Sequence, residues 1–382
     1  MKETRMLATQ NLICFSHLRW DFVYQRPQHL LSRFSDANKV YFMEEPVFVE
    51  CEKASFLYSE RMRNLTVMIP QLPHGLSESQ IEQTLTSLLK QFFALENMSK
   101  WIFWYYTPIA LKFSDNFNPG LIIYDCMDEL SAFKFAPESL KEMEKKLMDK
   151  ADVVFTGGQS LYEAKKDRHS NIWPAPSSID KKHWATARNK KNEPDDQSKI
   201  KGVKIGFYGV IDERFDLDLI KNLAENRPEW NIILIGPVVK IDPNSLPRNE
   251  NIHYLGSRDY ASLPSYLAGW NVALIPFAIN ESTKFISPTK TPEYLAAGIP
   301  VVSTAIRDVV IPYGVKKIVH IADDHRGFIK AIETELASAN KSEWLHLADS
   351  FLEDNSWDKT YEFMVKQMAL TKSTQDSLSI AN

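Results

Sequence analysis

The sequence has few cysteines, and nothing in their spacing suggests a pair. Its 382 residues contain only Cys14, Cys51 and Cys126, an odd number set far apart. No CxxC or Cys/His pattern accompanies them, which excludes a disulfide framework and a zinc site. This usage fits a reducing compartment, and Cys14 and Cys126, inside apolar runs, are predicted to be small buried hydrophobic residues.

The sequence also lacks an excess of charge and a long apolar run. Lys and Arg number 45 against 49 Asp and Glu, a formal charge of -4, so no basic field exists to attract nucleic acid. The longest apolar run, WIFWYYTPIAL, contains a proline and is too short to span a bilayer. The opening residues MKETRMLATQ have no apolar h-region of a secretory signal. We expect a cytoplasmic protein without a nucleic-acid partner, with peripheral contact to a membrane left open.

What the sequence does contain is an alternation of short β-type runs with helical patterns. Such alternation is typical of βαβ units built around parallel sheets, and the length fits two domains of about 100–200 residues. The sequence therefore predicts an α/β protein with two Rossmann-like, doubly wound domains that face each other across a cleft. Predicted strands lie at 11–16, 39–44, 101–106, 121–126, 152–157, 203–209, 231–237, 252–257, 271–277, 300–304 and 316–321. Predicted helices lie at 27–36, 78–97, 137–150, 215–226, 261–269 and 290–297, with more after 325.

A polar stretch divides the chain. Residues 186–202, TARNKKNEPDDQSKIKG, carry charges of both signs and little that is apolar, which predicts a solvated linker. We expect one domain over 1–185 and a second over 203–356. A C-terminal helix over 357–382 is predicted to pack back on the first domain and to end in a frayed, polar tail.

The segment SPTKTPEYLAAGIPVVST, residues 287–304, holds a clear helix-start signal. Pro292 has no N–H to donate, so it is tolerated only in the first turn, and the helix must begin a few residues before it. Gly298 is predicted to end this helix, and the β-branched run after it to form a strand.

Polar residues crowd this predicted helix start. Ser287, Thr289 and Lys290 precede or begin the helix and Glu293 lies in its first turn, where unpaired amides favour an anion. A carboxylate accepts hydrogen bonds from two vicinal hydroxyls, and an ammonium compensates phosphates, so the set suits a nucleoside diphosphate. The alternatives are that Glu293 only satisfies the helix dipole and that Lys290 is a solvated side chain.

Four segments together resemble the GT-B glycosyltransferases, in particular the retaining family 4 enzymes and bacterial transferases of the polysaccharide or teichuronic acid type. They are SPTKTPEYLAAGIPVVST, LPSYLAGWNVALIPF, LIGPVV and NSWDKTYEFM. The resemblance covers most of the chain and is strongest over 203–364. It implies that the second domain binds a nucleotide-sugar donor, that the first binds a saccharide or lipid-linked glycan acceptor, and that no metal cofactor is needed.

The resemblance assigns roles to residues of the second domain. It implies that Glu293 binds the nucleotide ribose and that the helix start holds the diphosphate. Family 4 enzymes carry a second glutamate eight positions earlier, where this chain has Phe285. Their pattern G-R-L-x-x-x-K-G is replaced by GVIDERFD, so we assign the donor-binding roles there to Gly209 and Arg214. An ion pair within DERFD is the alternative for Arg214.

In the first domain, polar residues follow the predicted strands. His17 lies at the end of the first strand, and the motif RPQHL, which resembles one in related sugar transferases, predicts that Arg26 faces the cleft and binds the acceptor. Tyr105 and Tyr106 end the strand WIFWYY, where aromatic rings suit sugars. The alternatives without a functional role are a solvated loop position for His17 and internal packing for the two tyrosines.

The segment YDCMDELSAF places two carboxylates after another strand. Asp125 and Asp128, with His17, are the catalytic candidates, since a carboxylate there could orient the donor or accept the proton that the acceptor loses. Asp128 could instead cap the following turn.

Other functions remain open at this level. A sugar-nucleotide 2-epimerase, or a non-catalytic nucleotide-sugar-binding protein, would share the fold. A metal-dependent GT-A transferase is disfavoured because its only D-x-D candidate, Asp216 with Asp218, looks like a helix start. Four lysines on the 137–150 helix could contact an anionic membrane, although a solvated basic face is the simpler interpretation; they are Lys141, Lys145, Lys146 and Lys150.

Overall fold

A computed structural model describes residues 10–134, 136–189, 193–339 and 341–381. Within these ranges the chain divides into two compact units. The first unit runs to Pro176 and resumes at Asp358, and the second spans Ser177–Trp357. Two α/β units agree with the predicted fold class.

The first unit is built on a sheet of nine described strands. The strand order is β3-β5-β2-β1-β6-β7-β8-β9, and β4 lies off this path and pairs with β5. The pairings are parallel except β4 with β5, which is antiparallel. The strands are β1 Asn11–Phe15, β2 Val40–Met43, β3 Val47–Phe48, β4 Ser55–Met62, β5 Leu65–Leu72, β6 Trp101–Tyr105, β7 Leu121–Cys126, β8 Val153–Thr156 and β9 Ile172–Pro174.

Helices accompany this sheet, and one of them begins at a well-formed cap. The longest helix before the C-terminus starts at a capping box, in which Ser77 and Gln80 each bond the other's backbone. All residues of β6 are buried, as expected for a central strand of a parallel sheet. The α-helices of this unit are Arg26–Ser35, Glu78–Phe92, Leu111–Ser114, Leu140–Lys150 and Gln159–Lys165, with most of Trp357–Ala381.

The second unit is built on six described strands, all paired in parallel. Their order is β12-β11-β10-β13-β14-β15, so the chain starts near the middle and winds outwards in both directions. The carboxyl ends of parallel strands meet at one edge of such a sheet, which is where ligands bind in doubly wound folds. The strands are β10 Val203–Tyr208, β11 Trp230–Ile235, β12 Ile252–Gly256, β13 Val272–Ile275, β14 Val301–Ser303 and β15 His320–Ile321.

The helices of the second unit cover this sheet. Asp216 caps one of them by accepting from the Leu219 amide at 2.8 Å, so the D-x-D pattern at Asp216 and Asp218 is a helix start, as interpreted from the sequence. The α-helices are Lys181–Ala185, Asp195–Ser198, Leu217–Asn226, Leu263–Leu267, Lys290–Ala296, Arg307–Val309, His325–Ala337 and Lys341–Phe351.

The prediction of a solvated linker over 186–202 is wrong for its described part. This stretch belongs to the second unit and contains a helix. Gln197 is fully buried, accepts from the Trp270 indole N–H at 2.9 Å and donates to the Tyr266 carbonyl at 2.7 Å. Lys204 is also buried and pairs with Glu193 at 2.6 Å. Polar composition misled here because these groups are paired with the unit rather than with water.

The predicted frayed tail is helical instead. The Trp357–Ala381 helix continues through the polar sequence, and its side chains bond to the first unit. The Thr371 hydroxyl accepts from the Asn171 side-chain amide Nδ2 at 2.9 Å, and Lys372 donates to the Gly120 carbonyl at 3.3 Å. These bonds anchor the start of the predicted tail, around Thr371 and Lys372, to the first unit.

Candidate functional site

The short helix Lys290–Ala296 has the boundaries that its sequence predicts. Pro292 is its third residue, and Thr289 stands just before it with helical backbone angles. Gly298 ends it with φ of +76°, a left-handed conformation that glycine adopts without strain. The β-branched residues that follow form β14, so both predictions from this segment are confirmed.

Lys290 lies across Gly209, the residue directly after β10. Gly209 has φ of +139°, and a Cβ built there would lie 2.2 Å from Lys290 Cε and 2.9 Å from its Nζ. The Lys290 ammonium also lies 5.9 Å from the ring centres of Phe207 and of Tyr208. Only glycine leaves room for this approach, which brings a positive charge to the carboxyl end of β10.

Glu293 is buried beside this lysine. Its side chain is 8% exposed, and the Tyr208 hydroxyl donates a hydrogen bond to Oε2. Burial raises the pKa of Glu293 to about 7, although the Tyr208 bond and the Lys290 charge both act to lower it. The carboxyl therefore changes charge near neutral pH, which is unusual for a glutamate and typical of functional sites.

Tyr208 is a site residue that the sequence argument missed. It is the last residue of β10, and its ring stacks on Trp184 with centroids 5.4 Å apart and planes 16° apart. Its amide donates to the Tyr294 hydroxyl at 3.1 Å. The sequence feature that could have identified Tyr208 is its position directly before Gly209, at the end of the strand that the helix start approaches.

Arg214 is engaged in the ion pair that the sequence left as its alternative role. Its guanidinium donates to both carboxylate oxygens of Asp212, the shortest bond being 2.6 Å. The loop itself is fixed at the end of the sheet, because the Arg214 carbonyl accepts from the Ala278 amide at 2.8 Å. The positive charge of Arg214, which the sequence assigned to the donor's phosphate, is thus already compensated by Asp212.

The remaining predicted residues of this unit surround the helix start. Ser287 and Thr289 are half-buried on the approach to Lys290. Phe285, where the family pattern has a glutamate, is half-buried with the Lys284 ammonium 5.4 Å from its ring centre. Phe285 brings no carboxylate to this position.

In the first unit, Arg26 and Asp125 are not exposed for an acceptor, so their predicted roles are wrong. Arg26 is 3% exposed and Asp125 is fully buried. The guanidinium donates to both Asp125 oxygens, at 2.8 and 2.9 Å, and to the Ala175 carbonyl at 2.7 Å. A buried ion pair of this kind is saturated by its own partners.

The two tyrosines predicted to bind the acceptor are packed inside the same unit. Tyr105 and Tyr106 are each 1% exposed. The Tyr105 hydroxyl bonds Ser114 Oγ at 2.8 Å, and its ring stacks on Phe15 at 4.9 Å. Internal packing, the alternative interpretation, is therefore what the structure has.

His17 and Asp128 lie where the sequence placed them. Both are half-buried, His17 just after β1 and Asp128 just after β7. Both strands pair with β6, so the two residues follow strands on either side of it at the same edge of the sheet. Their catalytic roles stay predictions.

The described ranges contain neither a candidate metal centre nor a membrane-spanning helix. No group of three or more His, Cys, Asp or Glu there is arranged to hold a metal ion. Nor does any described helix combine the length and apolar character needed to cross a membrane.

Comparison with known families bears on the class of this protein. Residues 204–338 match the family described as Glycosyl transferases group 1. The chain has the GT-B fold, and the family match in its second unit, with the relative described next, supports sugar transfer from a nucleotide-sugar donor. The resemblance seen in the sequence motifs is confirmed.

One curated relative and several solved structures extend this finding. The chain is 21% identical over 296 residues to the teichuronic acid biosynthesis glycosyltransferase TuaH of Bacillus subtilis (strain 168), covering 73% of this chain and 74% of that one.

Among solved structures, trehalose 6-phosphate synthase from Burkholderia multivorans has a TM-score of 0.70 at 13% identity, with 98% of both chains covered. Sucrose-phosphate synthase from Thermosynechococcus elongatus has a TM-score of 0.63 at 15% identity, with 97% of this chain and 99% of that one covered. The starch synthase IV catalytic domain from Arabidopsis thaliana, bound to ADP and acarbose, has a TM-score of 0.65 at 10% identity, covering 95% of this chain and 99% of that one. These likenesses establish the fold.

Proposed function

We propose that the nucleoside diphosphate of the donor binds at the carboxyl end of β10, around Gly209. In this proposal the Glu293 carboxylate accepts hydrogen bonds from the ribose hydroxyls, and Lys290 compensates the diphosphate. Ser287 and Thr289 line the approach to the helix start, and Arg214 reaches the phosphates only by releasing Asp212. The observation that carries the proposal is the contact of Lys290 with Gly209 beside a buried glutamate.

The same residues suit the chemistry of the transfer. Breaking the bond between the sugar and the phosphate oxygen leaves negative charge on the diphosphate. An ammonium and helix amides placed beside the diphosphate stabilise that charge where it develops. We assign this task to Lys290 and the first turn of its helix, with no metal ion required.

The stereochemical course belongs to the proposal as well. If the reaction retains the anomeric configuration, as in the family 4 enzymes, the departing phosphate itself helps to deprotonate the acceptor hydroxyl. Phe285 replaces the second glutamate of that family, so this chain would reach the same outcome with one carboxylate fewer.

The acceptor side is proposed from the first unit. His17 and Asp128 are the groups we assign to the acceptor, either to orient its hydroxyl or to take its proton. The acceptor class is a saccharide or a lipid-linked glycan of bacterial cell-surface polysaccharide synthesis. Support comes from the similarity to TuaH, whose name places it in teichuronic acid biosynthesis.

A lipid-linked acceptor would bring the protein to the inner face of a membrane. The exposed lysines of the Leu140–Lys150 helix could supply the contact, but Lys146 pairs with Glu142 at 2.8 Å and Lys150 pairs with Asp115. We therefore expect any attraction to anionic lipid to be weak. Flotation with anionic and neutral liposomes measures it, and equal recovery with both would rule out electrostatic docking.

The proposed function is tested by screening for the donor. A thermal-shift screen across ADP, GDP, UDP and their sugar conjugates should give one selective stabilisation, since a ligand that binds the folded state raises its apparent stability. The selected donor should then lose its sugar to an added saccharide, with EDTA present. Conversion of the donor to an epimer without an acceptor, or inhibition by EDTA, would contradict the proposal.

A further inference from the structure

The contacts of Tyr208 are unusual for a tyrosine at the end of a strand. Its side chain is 7% exposed, yet it does not simply fill the core. The ring is held flat against Trp184 on one side and edge-on to Tyr294, whose ring centre lies 5.2 Å away. The backbone amide is bonded to the Tyr294 hydroxyl. Ring and backbone are thereby both fixed, so the hydroxyl has a defined direction.

That direction is toward the Glu293 carboxylate. The hydroxyl donates to Oε2, which takes up one of the two oxygens and fixes the rotation of the carboxylate plane. An ionised carboxylate accepts about four hydrogen bonds, so Oε1 and the second lone pair of Oε2 stay able to accept from a ligand. A bond from a fixed phenol therefore orients the group without saturating it.

We propose that Tyr208 is a positioning residue for donor binding, which orients the Glu293 carboxylate toward the vicinal hydroxyls of the donor's ribose. The inference rests on the proposed function, because it needs Glu293 to be the ribose ligand. It extends the site inward to Trp184, which lies in a segment that the sequence assigned to the other domain.

The charges around the Glu293 carboxylate make the inference testable through the pH dependence of nucleotide binding. Glu293 faces the Tyr208 hydroxyl and the Lys290 ammonium, and both favour its ionised form, while Tyr294 and Tyr260 lie near Tyr208. Removing the Tyr208 hydroxyl takes away one of these two stabilising contacts. The pKa of Glu293 then rises further, and the ionised form that accepts two ribose hydroxyls appears only at higher pH.

The test is nucleotide affinity against pH for wild type and Tyr208→Phe. Calorimetry with ADP, GDP and UDP identifies the nucleoside diphosphate that binds, and its 2′-deoxy counterpart serves as a second probe. In wild type the affinity should rise with pH around 7. In Tyr208→Phe the midpoint should move up by about one pH unit, a loss of about ten-fold at pH 6.5 that shrinks to less than about two-fold at pH 9. Discrimination against the 2′-deoxy probe should fall in parallel.

The control variant is Tyr254→Phe, which removes a tyrosine hydroxyl of the same unit that bonds the Pro247 carbonyl at 3.1 Å. It should bind like wild type at every pH. If Tyr208→Phe loses the same affinity at all pH values, the role of Tyr208 is purely structural and the inference is overturned. Unchanged binding in Tyr208→Phe would also overturn it.

A failure of the proposed function is recognised separately. Glu293→Gln should weaken nucleotide binding at high pH to the level that wild type has at low pH. If Glu293→Gln binds like wild type, the ribose assignment is wrong and the inference about Tyr208 falls with it. If Glu293→Gln loses binding while Tyr208→Phe keeps it, only the inference about Tyr208 is wrong.

Discussion

The carboxyl ends of the two sheets use their polar residues in different ways. At the end of the six-stranded sheet, a lysine and a glutamate of one short helix lie around Gly209, with the carboxyl buried at a cost in its charged form. In the nine-stranded sheet, Arg26 and Asp125 neutralise each other out of reach of solvent. The first arrangement keeps capacity for a ligand, whereas the second is complete without one.

The difference shows which kinds of sequence signal carry functional information. The site in the second unit was predicted from backbone constraints, a proline that fixes a helix start and a glycine that ends it, and these act locally. Arg26 and Asp125 were chosen because they stand near strand ends. Whether such residues are accessible depends on what packs over them, and Arg26 and Asp125, which pair with each other, lie 99 residues apart in sequence.

Replacing Arg26 should have the largest effect on stability. Arg26→Ala leaves the Asp125 carboxylate buried without compensation, which costs about 3–5 kcal/mol in the free energy of unfolding of the first unit. Denaturant unfolding followed by a probe in that unit measures this loss. Donor binding by the second unit should be unchanged.

The matched control is Arg33→Ala, in the same helix. Arg33 pairs with Asp358, whose side chain is 75% exposed, so its loss should change stability by less than about 1 kcal/mol. Equal effects of the two arginine substitutions would contradict the distinction between a saturated internal pair and a surface pair.

Glu293→Gln should stabilise the ligand-free protein at high pH. Folding raises the pKa of Glu293 from 4.5 to about 7, so the folded state binds the extra proton between these values. Well below pH 4.5 the Glu293 carboxyl is protonated in both the folded and the unfolded state, so it does not lower the free energy of unfolding. Above pH 7 the buried carboxyl is ionised, which lowers the free energy of unfolding by about 3 kcal/mol at most. The variant should come closest to wild type at about pH 4 and be more stable at pH 8, as measured by denaturant unfolding.

Glu281→Gln is the control for that pH dependence, because Glu281 is 84% exposed in the same region of the chain. Glu281→Gln should be no more stable than wild type at pH 8. A Glu293→Gln variant that is no more stable than wild type at pH 8 would mean that the carboxyl is solvated, like Glu281.

Gly209→Ala should produce a smaller but specific loss. The added Cβ would meet Lys290 Cε at 2.2 Å, so the lysine must move, and the affinity for the donor diphosphate should fall about ten-fold, or about 1.4 kcal/mol. Gly202→Ala also places a Cβ at positive φ, +94°, but its nearest contact is Asn231 Nδ2 at 3.6 Å. If both variants bind equally well, Lys290 does not act from above Gly209.

Much of the fold could be predicted because periodicity and turn residues are local signals. The predicted strands 101–106 and 203–209 match β6 and β10 within a residue. The hairpin of β4 and β5 was missed, since β4 is mostly exposed and its apolar run is only three residues long, Phe56, Leu57 and Tyr58. Residues 186–202 were misjudged because the partners that bury Gln197, Tyr266 and Trp270, lie 69 and 73 residues away in sequence.

The site could be predicted only in part for the same reason. Lys290 and Glu293 follow from their helix, but the role of Tyr208 depends on a bond across 85 residues and on the stacking of Trp184. No pattern in the sequence places Trp184 against the end of β10. Long-range packing of this kind becomes visible only in the folded chain.

The most direct measurement is calorimetric titration of Glu293→Ala with the donor nucleotide, beside wild type and Glu281→Ala. If the carboxylate holds the ribose at the end of β10, Glu293→Ala should lose at least about 100-fold in affinity, or about 2.7 kcal/mol, while Glu281→Ala binds like wild type. Unchanged affinity in a folded Glu293→Ala protein would contradict the account.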